Sequence, residues 1–342
     1  MLRNFIISLL VSCTVPYFLS AQDIHFSQIG YSPMNLNPAL TGIFEGDLRF
    51  TGNYRSQWNT VPVEYQTFSG AVDLSILDDR YQQRFFSVGF LLNNDRAGDA
   101  QLELTNLGLS GSYARRVGRG QFLSLGLMGT LSQRSFETDD LYFDRQFDNE
   151  SRQFDPLASS GESFQNNNTK LMADVSAGVN WHYRVPKRER RTSFDAGLGV
   201  MHFNKPNKSF LGEKEEKLPI RWSTYAFGNI HLIEQLDLLL QGTYQMQGEY
   251  RELAFGLGGQ IHLDTDYDKE LALQLALNWR SDDAIIPMIG LRYRMWKAAF
   301  SYDFNTSPFQ VATNQRGGPE LSVVYIVTRI KPLSAKICPI YL

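Results

Sequence analysis

Hydrophobic and polar residues alternate with a period of two along most of the chain. Leu271, Leu273, Leu275, Leu277 and Trp279 interleave with Ala272, Gln274, Ala276, Asn278 and Arg280. A helix would scatter these leucines around its axis, whereas a strand puts all of them on one face. Leu253, Phe255, Leu257, Ile261 and Leu263 repeat the pattern, as do Ala173, Val175, Ala177, Val179, Trp181 and Tyr183, and Ile289, Leu291, Tyr293 and Met295. These segments run about 10–14 residues, against about 5–6 for an ordinary globular strand and about 9–11 for a tilted strand crossing a bilayer. The apolar face often ends in an aromatic, such as Trp279, Tyr293, Tyr244 or Tyr113, where interfacial girdles sit. The opposite face is polar and rich in Gly, Ala, Ser and Asn, as a crowded or narrow lumen requires.

Fourteen such segments are expected: 47–58, 64–77, 83–94, 100–116, 120–134, 170–185, 191–203, 218–232, 235–247, 250–263, 269–281, 284–295, 297–306 and 318–328. The even number suits a single-chain bacterial barrel. With both termini on the periplasmic side, the short connections near 78–80, 117–120, 186–190, 233–234, 264–268 and 296–297 fall on one side. The long ones at 136–169, 204–217 and 307–318 fall on the other, as outer-membrane barrels require and a sandwich does not. The expected fold class is therefore all-β, a transmembrane antiparallel up-and-down barrel of about fourteen strands in a bacterial outer membrane, spanning 47–328. A change of apolar phase between Leu104 and Leu107 predicts a bulge. Residues 22–46, with Pro33 and Pro38, form a periplasmic or plug-like N-terminal segment, and 329–342 a periplasmic tail.

Composition narrows the function. The 342 residues carry 33 basic and 36 acidic side chains, a net charge of −3, which argues against nucleic acid as a partner. Cys13 and Cys338 are the only cysteines, so a disulfide framework and a Cys-rich zinc site are excluded. Arg3, the apolar stretch from Phe5 to Leu19 and the small Ala21 read as a signal peptide, residues 1–21, cut before Gln22. A lipoprotein box ending at Cys13 competes, but it would leave an apolar core shorter than the usual ~7–15 residues. No apolar run reaches the length of a membrane-spanning helix.

Candidate chemistry is sparse, and no catalytic group, metal site or cofactor is assigned. Asp264, Asp266 and Asp268 resemble the start of a calcium loop, but Lys269 and Leu275 stand where that loop needs Gly and Glu, leaving a polar turn. The five histidines (His25, His182, His202, His231 and His262) have no paired spacing suited to a metal. Glu252, Arg280, Arg292, Arg294 and Asp303 lie on the polar phase of late strands and predict a lumen charge network. Arg55 and Trp58, at the end of the first strand, and Asp95 with Arg96 are expected at the outer rim: Trp58 as an interfacial anchor, Arg55 pairing across the rim with Asp95 and Arg96, and all four as candidate partner contacts. Phe26 and Tyr31 are the aromatics with which the N-terminal segment could dock on a periplasmic protein or pack inside the barrel.

Several motifs together carry a resemblance. Asp23-Ile24-His25-Phe26-Ser27-Gln28, then Asn35-Leu36-Asn37-Pro38-Ala39 and Thr41-Gly42, are followed by Asn53-Tyr54-Arg55-Ser56-Gln57-Trp58 and Asn94-Asp95-Arg96-Ala97-Gly98. Later come His202 with 204–210, 284–290, Tyr302-Asp303-Phe304, Glu320-Leu321-Ser322 and 336–339. In order and spacing the chain resembles the PorP/SprF family of Bacteroidetes outer-membrane proteins across its whole mature length. The resemblance implies a non-enzymatic component of the type IX secretion system. One kind of member assists export or surface anchoring of a cargo adhesin with a C-terminal sorting domain, the reading favoured here. Another resembles the core translocon subunit, which contacts a periplasmic ring made by a lipoprotein and its partner. A solute channel is the rival from outside the family. Outer-membrane lipid surrounds the barrel in every case.

Overall fold

The computed structural model describes residues 23–328 except 58–64, 78–83, 99, 138–140, 142, 149–152, 156–157, 160, 162–167, 186–190, 211–214, 266–268 and 309–312. The expected signal peptide, Trp58 and the expected C-terminal tail lie outside the described residues.

Fourteen antiparallel strands close a barrel. They are β1 (Leu48–Gln57), β2 (Tyr65–Leu77), β3 (Arg84–Ala97), β4 (Leu102–Gly118), β5 (Gln121–Ser135), β6 (Thr169–Arg184) and β7 (Ser193–Met201), followed by β8 (Arg221–Ile233), β9 (Leu236–Gln247), β10 (Tyr250–Asp264), β11 (Leu271–Arg280), β12 (Ala284–Tyr293), β13 (Trp296–Asn305) and β14 (Arg316–Val327). Each pairs with its sequence neighbours, and β1 meets β14 from Leu48↔Val327 to Arg55↔Glu320. The order is the simplest that alternation and short turns allow, and closure leaves no edge to satisfy in lipid.

The apolar phase points outward. Leu109, Leu125, Leu127, Leu131, Phe255, Leu257 and Leu277 are all exposed on the wall, while Ser110, Ser112, Ser124, Ser176, Asn180 and Asn278 face the lumen and are buried. Aromatic neighbours pack together on the outer surface, among them Phe86 against Tyr113, and Tyr183 stacked between Trp181 and Phe194. The connections 136–168 and 202–220 lie at one end of the barrel, and the two-residue turns 119–120, 234–235 and 294–295 at the other. By the rule for outer-membrane barrels the loop-rich end faces the cell surface; it is the outer end below, and its opposite the inner end.

Two expectations need correction. No bulge falls between Leu104 and Leu107; β4 stays in register with β3 from Leu102 to Arg115, and its shift comes at Arg116/Gly118. Leu102 and Leu104 sit near the outer end, where outward-facing Glu103 and Thr105 bond Asn94 instead of meeting lipid, so no apolar phase is imposed there. The turn between β12 and β13 is Arg294–Met295, not 296–297, with Arg294 at φ 54°. Arg294 therefore leaves the lumen face and is exposed at the inner end.

Candidate functional site

The lumen holds the chain's own N-terminal segment. Residues 23–46 run down the barrel from the outer end to the inner end, so the described chain begins at the mouth opposite the one where β1 starts. Asp23 touches His202 and Gln247, at the outer ends of β7 and β9. Glu45 pairs with Arg184 at the inner end of β6, and Gly46 packs against Ile326 of β14. In between the segment makes short turns at Ile29–Tyr31, Pro33–Leu36 and Pro38–Leu40, each proline standing at the start of its turn, where a missing N–H costs nothing.

The small lumen side chains are where this plug rests on the wall. A Cβ on Gly126 would lie 2.3 Å from the Ala39 nitrogen, and one on Gly178 would lie 1.9 Å from Asn37 Oδ1. Ser124 Oγ donates to the Ala39 carbonyl at 2.8 Å, and Ser112 Oγ to the Thr41 carbonyl at 2.7 Å. Asn37 Nδ2 donates to Tyr225 Oη and to the Val179 carbonyl, both at 3.0 Å. Apolar plug residues meet the few apolar inward positions: Ile29, Leu36 and Leu40 pack with Tyr225 and Ala254, and Met34 with Leu91 and Met128.

Buried charge fixes the plug at three levels. Near the outer end, Arg55 Nη2 and Arg280 Nη2 donate to Asp303 Oδ2 at 2.7 and 2.8 Å. Ser27 Oγ donates to the same carboxylate at 2.9 Å, and the Ser27 and Gln28 backbone N–H groups donate to Glu320 at 2.7 and 2.9 Å. Arg55, Asp303 and Glu320 are each 1% exposed and Arg280 3%, so the two guanidiniums and two carboxylates compensate one another away from water. At the inner end Asp73 accepts from Arg49 and from the Gly42 N–H, while Arg49 also holds the Leu40 carbonyl.

The third level is the outer mouth. Arg221 donates to the Ile24 and Asn35 carbonyls and lies 3.4 Å from Asp23 Oδ2. His202, held at φ 59° where β7 ends, sits with Nε2 2.5 Å from Asp23 and Nδ1 3.0 Å from Asp174. Burial alone would push His202 down, but the Asp23 and Asp174 carboxylates outweigh it and raise its pKa to about 9. Burial alone would raise Asp23; His202 and Arg221 reverse that and hold it well below the ordinary carboxylate range. Both groups are therefore charged at neutral pH. A small pocket opens beside them, lined by Asp23, His25, Arg221, Gln245, Met246, Gln247 and Tyr250.

The residues singled out from sequence divide accordingly. Arg280 and Asp303 do meet, and Glu252 lies one step away, 3.8 Å from His25 and 2.7 Å from Tyr250 Oη. Arg292 is apart from them, paired at the inner end with Glu270 at 3.1 Å, and Arg294 is outside the lumen. Arg55 does not pair across the rim with Asp95 or Arg96; its inward phase carries it into the lumen network. Asp95 accepts from Thr67 at 2.6 Å, and Arg96 bonds Gln101 on the exposed rim. Phe26 is buried, and Tyr31, inside the barrel, donates to Gln274 at 2.9 Å, so neither offers a docking surface to a protein outside. Sequence reasoning missed Asp23, His202, Arg221, Arg49, Asp73 and Glu320. His231 and His262, for which the sequence shows no paired spacing, both converge on Asp237 together with Arg191.

Above the plug the long loops form a rim. Phe136 and Phe210 pack edge to face at 4.9 Å, and Arg134 stacks on Phe210 and donates to the Lys208 carbonyl at 3.2 Å, tying 136–168 to 202–220. A short ladder pairs Phe147 with Phe154, both exposed, as is Phe203.

A family model described as type IX secretion system membrane protein PorP/SprF matches residues 18–325. No curated protein matches the chain. Among solved structures, the Ralstonia pickettii toluene transporter TbuX superposes with a TM-score of 0.51 at 11% identity, over 90% of this chain and 95% of that one. The Pseudomonas putida toluene transporter TodX gives 0.48 at 9% identity, over 86% and 92%. A Pseudomonas aeruginosa FadL homologue gives 0.48 at 11%, over 84% and 92%. At such identity the first likeness shows an outer-membrane barrel fold and no more, and the other two add no argument.

Proposed function

Because the chain belongs to the PorP/SprF family of type IX secretion system membrane proteins, we propose that it is a non-catalytic surface anchor for a secreted cargo. The cargo is an adhesin with a C-terminal sorting domain, exported and then held at the outer face of this barrel. The leader at 1–21 delivers the chain to the outer membrane.

The plug is the observation that carries this reading beyond the family. A channel that conducts along its axis needs an open lumen, and here the lumen is crossed end to end by residues 23–46 and pinned at three levels by charged side chains. What remains for a partner is the rim, where 136–168 and 202–220 are tied together and present Phe147, Phe154 and Phe203. Exposed aromatics at a solvent-facing rim are the residue type that dominates protein recognition.

The test is affinity purification of the tagged full-length protein from native membranes, with identification of what co-elutes, alongside conductance in planar bilayers. A large surface protein with a C-terminal sorting domain and no conductance is the expected result. Periplasmic ring components without such a protein would move the chain to the core translocon. A lone barrel that conducts would overturn the anchor reading in favour of a channel.

A further inference from the structure

One stretch of the barrel wall has a weakened ladder. Between β12 and β13 the pairing runs Ala284↔Asn305 and Ile285↔Phe304, then resumes only at Met288↔Ser301. The register is the same on both sides of this interval, but Pro287 has no N–H to give β13, so the ladder lacks that bond. On its other side β13 is irregular at the same height: Asp303 pairs with Gly318 but Phe304 with Arg316, leaving Gly317 as a bulge. Tyr302, beside Asp303, faces Pro319 on β14, and the β14–β1 ladder ends at Glu320, one residue short of that proline. The other register shifts, at Arg116/Gly118, His231/Ile233 and His262/Asp264, all fall at the inner end, where strands leave the membrane. This one lies on the outer half of the wall, with exposed Ile285, Ile289, Phe300 and Phe304 facing outward around it. Unmade backbone bonds are costly at that level because lipid cannot replace them.

Side chains and the plug bridge the break instead. Arg280 of β11 reaches across β12 to Asp303 of β13. Ser27 Oγ bonds Asp303, Arg280 Nη1 donates to Ser27 Oγ at 3.0 Å, and Gln28 Nε2 donates to Ser301 Oγ at 2.9 Å. The turn at Ser27–Gln28 thus sits behind the gap and holds its far edge.

We propose that the outer half of the β12–β13 wall is a lateral gate, latched from inside by the Ser27–Gln28 turn of the plug. Shifting that turn removes the contacts that replace the ladder, and the strands part between Ile285–Phe304 and Met288–Ser301. The lumen then opens sideways into the outer leaflet without the plug leaving the barrel.

Hydrogen–deuterium exchange of the full-length protein in lipid nanodiscs tests this. Peptides covering 284–293 and 296–305 should exchange faster than those of β9 and β10 over the same depth. In Ser27→Ala/Gln28→Ala they should exchange about tenfold faster again, because opening free energies set amide exchange and each lost bond is worth a net fraction of that factor. Asn35→Ala, which loosens the plug at Ser69 and Asn93, should leave them unchanged. A disulfide between Ile285→Cys and Phe304→Cys, made with Cys338→Ser, should abolish the response. Slow, uniform exchange in all strands, or an equal response to Asn35→Ala, would overturn the gate.

Discussion

Arg55→Ala offers the sharpest test of how the lumen is held. The guanidinium donates to Asp303 Oδ2 at 2.7 Å and to the His25 carbonyl at 2.8 Å, and its Nε lies 3.7 Å from Glu320. All three charged groups are 1% exposed. Truncation leaves Arg280 as the cation bonded to Asp303 and leaves Glu320 beside it without a guanidinium partner. Removing one partner of a buried pair costs about 3–5 kcal/mol, far more than the net value of the pair itself. The orphaned His25 carbonyl adds about 1 kcal/mol or more. Arg292→Ala is the control, since the Arg292–Glu270 pair is 32% and 27% exposed and falls near the ~0–1 kcal/mol of surface ion pairs. The assay is the urea midpoint of folded barrel in detergent, read by the gel shift between folded and heat-denatured forms. Arg55→Ala should lose at least about 3 kcal/mol, and adding Glu320→Gln should restore part of it by removing the unpaired charge. If Arg55→Ala and Arg292→Ala unfold together, or if Glu320→Gln makes matters worse by the full cost of its own bonds, the reasoning about buried compensation is wrong.

Three further outcomes follow from the same geometry. His202 is raised from 6.5 to about 9 in the fold, so its pairing with Asp23 and Asp174 stabilises fully below pH 6.5 and is lost as pH rises through 9; the stability gap between the natural protein and His202→Asn should close between pH 7 and about pH 10. Gly126→Ala places a methyl group into the Ala39 backbone and should displace the plug there, detected as new protease cleavage between residues 23 and 46 while the barrel still shows its gel shift. Leu127→Arg, mid-strand on the exposed outer wall and 65% exposed, should cost about 2–4 kcal/mol in the bilayer, measured by urea titration in lipid vesicles.

The barrel was legible because lipid imposes its own rule on every strand. Outward positions are apolar and inward ones are not, and that rule places Leu271 to Trp279 without knowledge of any neighbour. It weakens where lipid ends. Glu103 and Thr105 rise above the apolar belt, and the phase change there looked like a bulge. The plug obeys no period: Met34, Leu36 and Leu40 are spaced by irregular turns and touch wall residues far along the chain. Arg55 and Asp303 are 248 positions apart, and nothing local connects them. Phase could still have assigned Arg55, since Arg49, Thr51, Asn53 and Arg55 share one face of β1, all of it buried. Nearness to the strand end suggested the rim instead.

The direction of the plug decides which side of the membrane each end of the described chain meets. Residue 23 lies at the outer mouth and β1 begins at the inner one, so the segment between them threads the whole lumen. The wall therefore encloses a segment of its own chain, and the seam between Leu48 and Val327 closes the ring around it. A tag fused ahead of Asp23 would emerge at the outer mouth, whereas the same tag beyond Val327 would lie on the inner side.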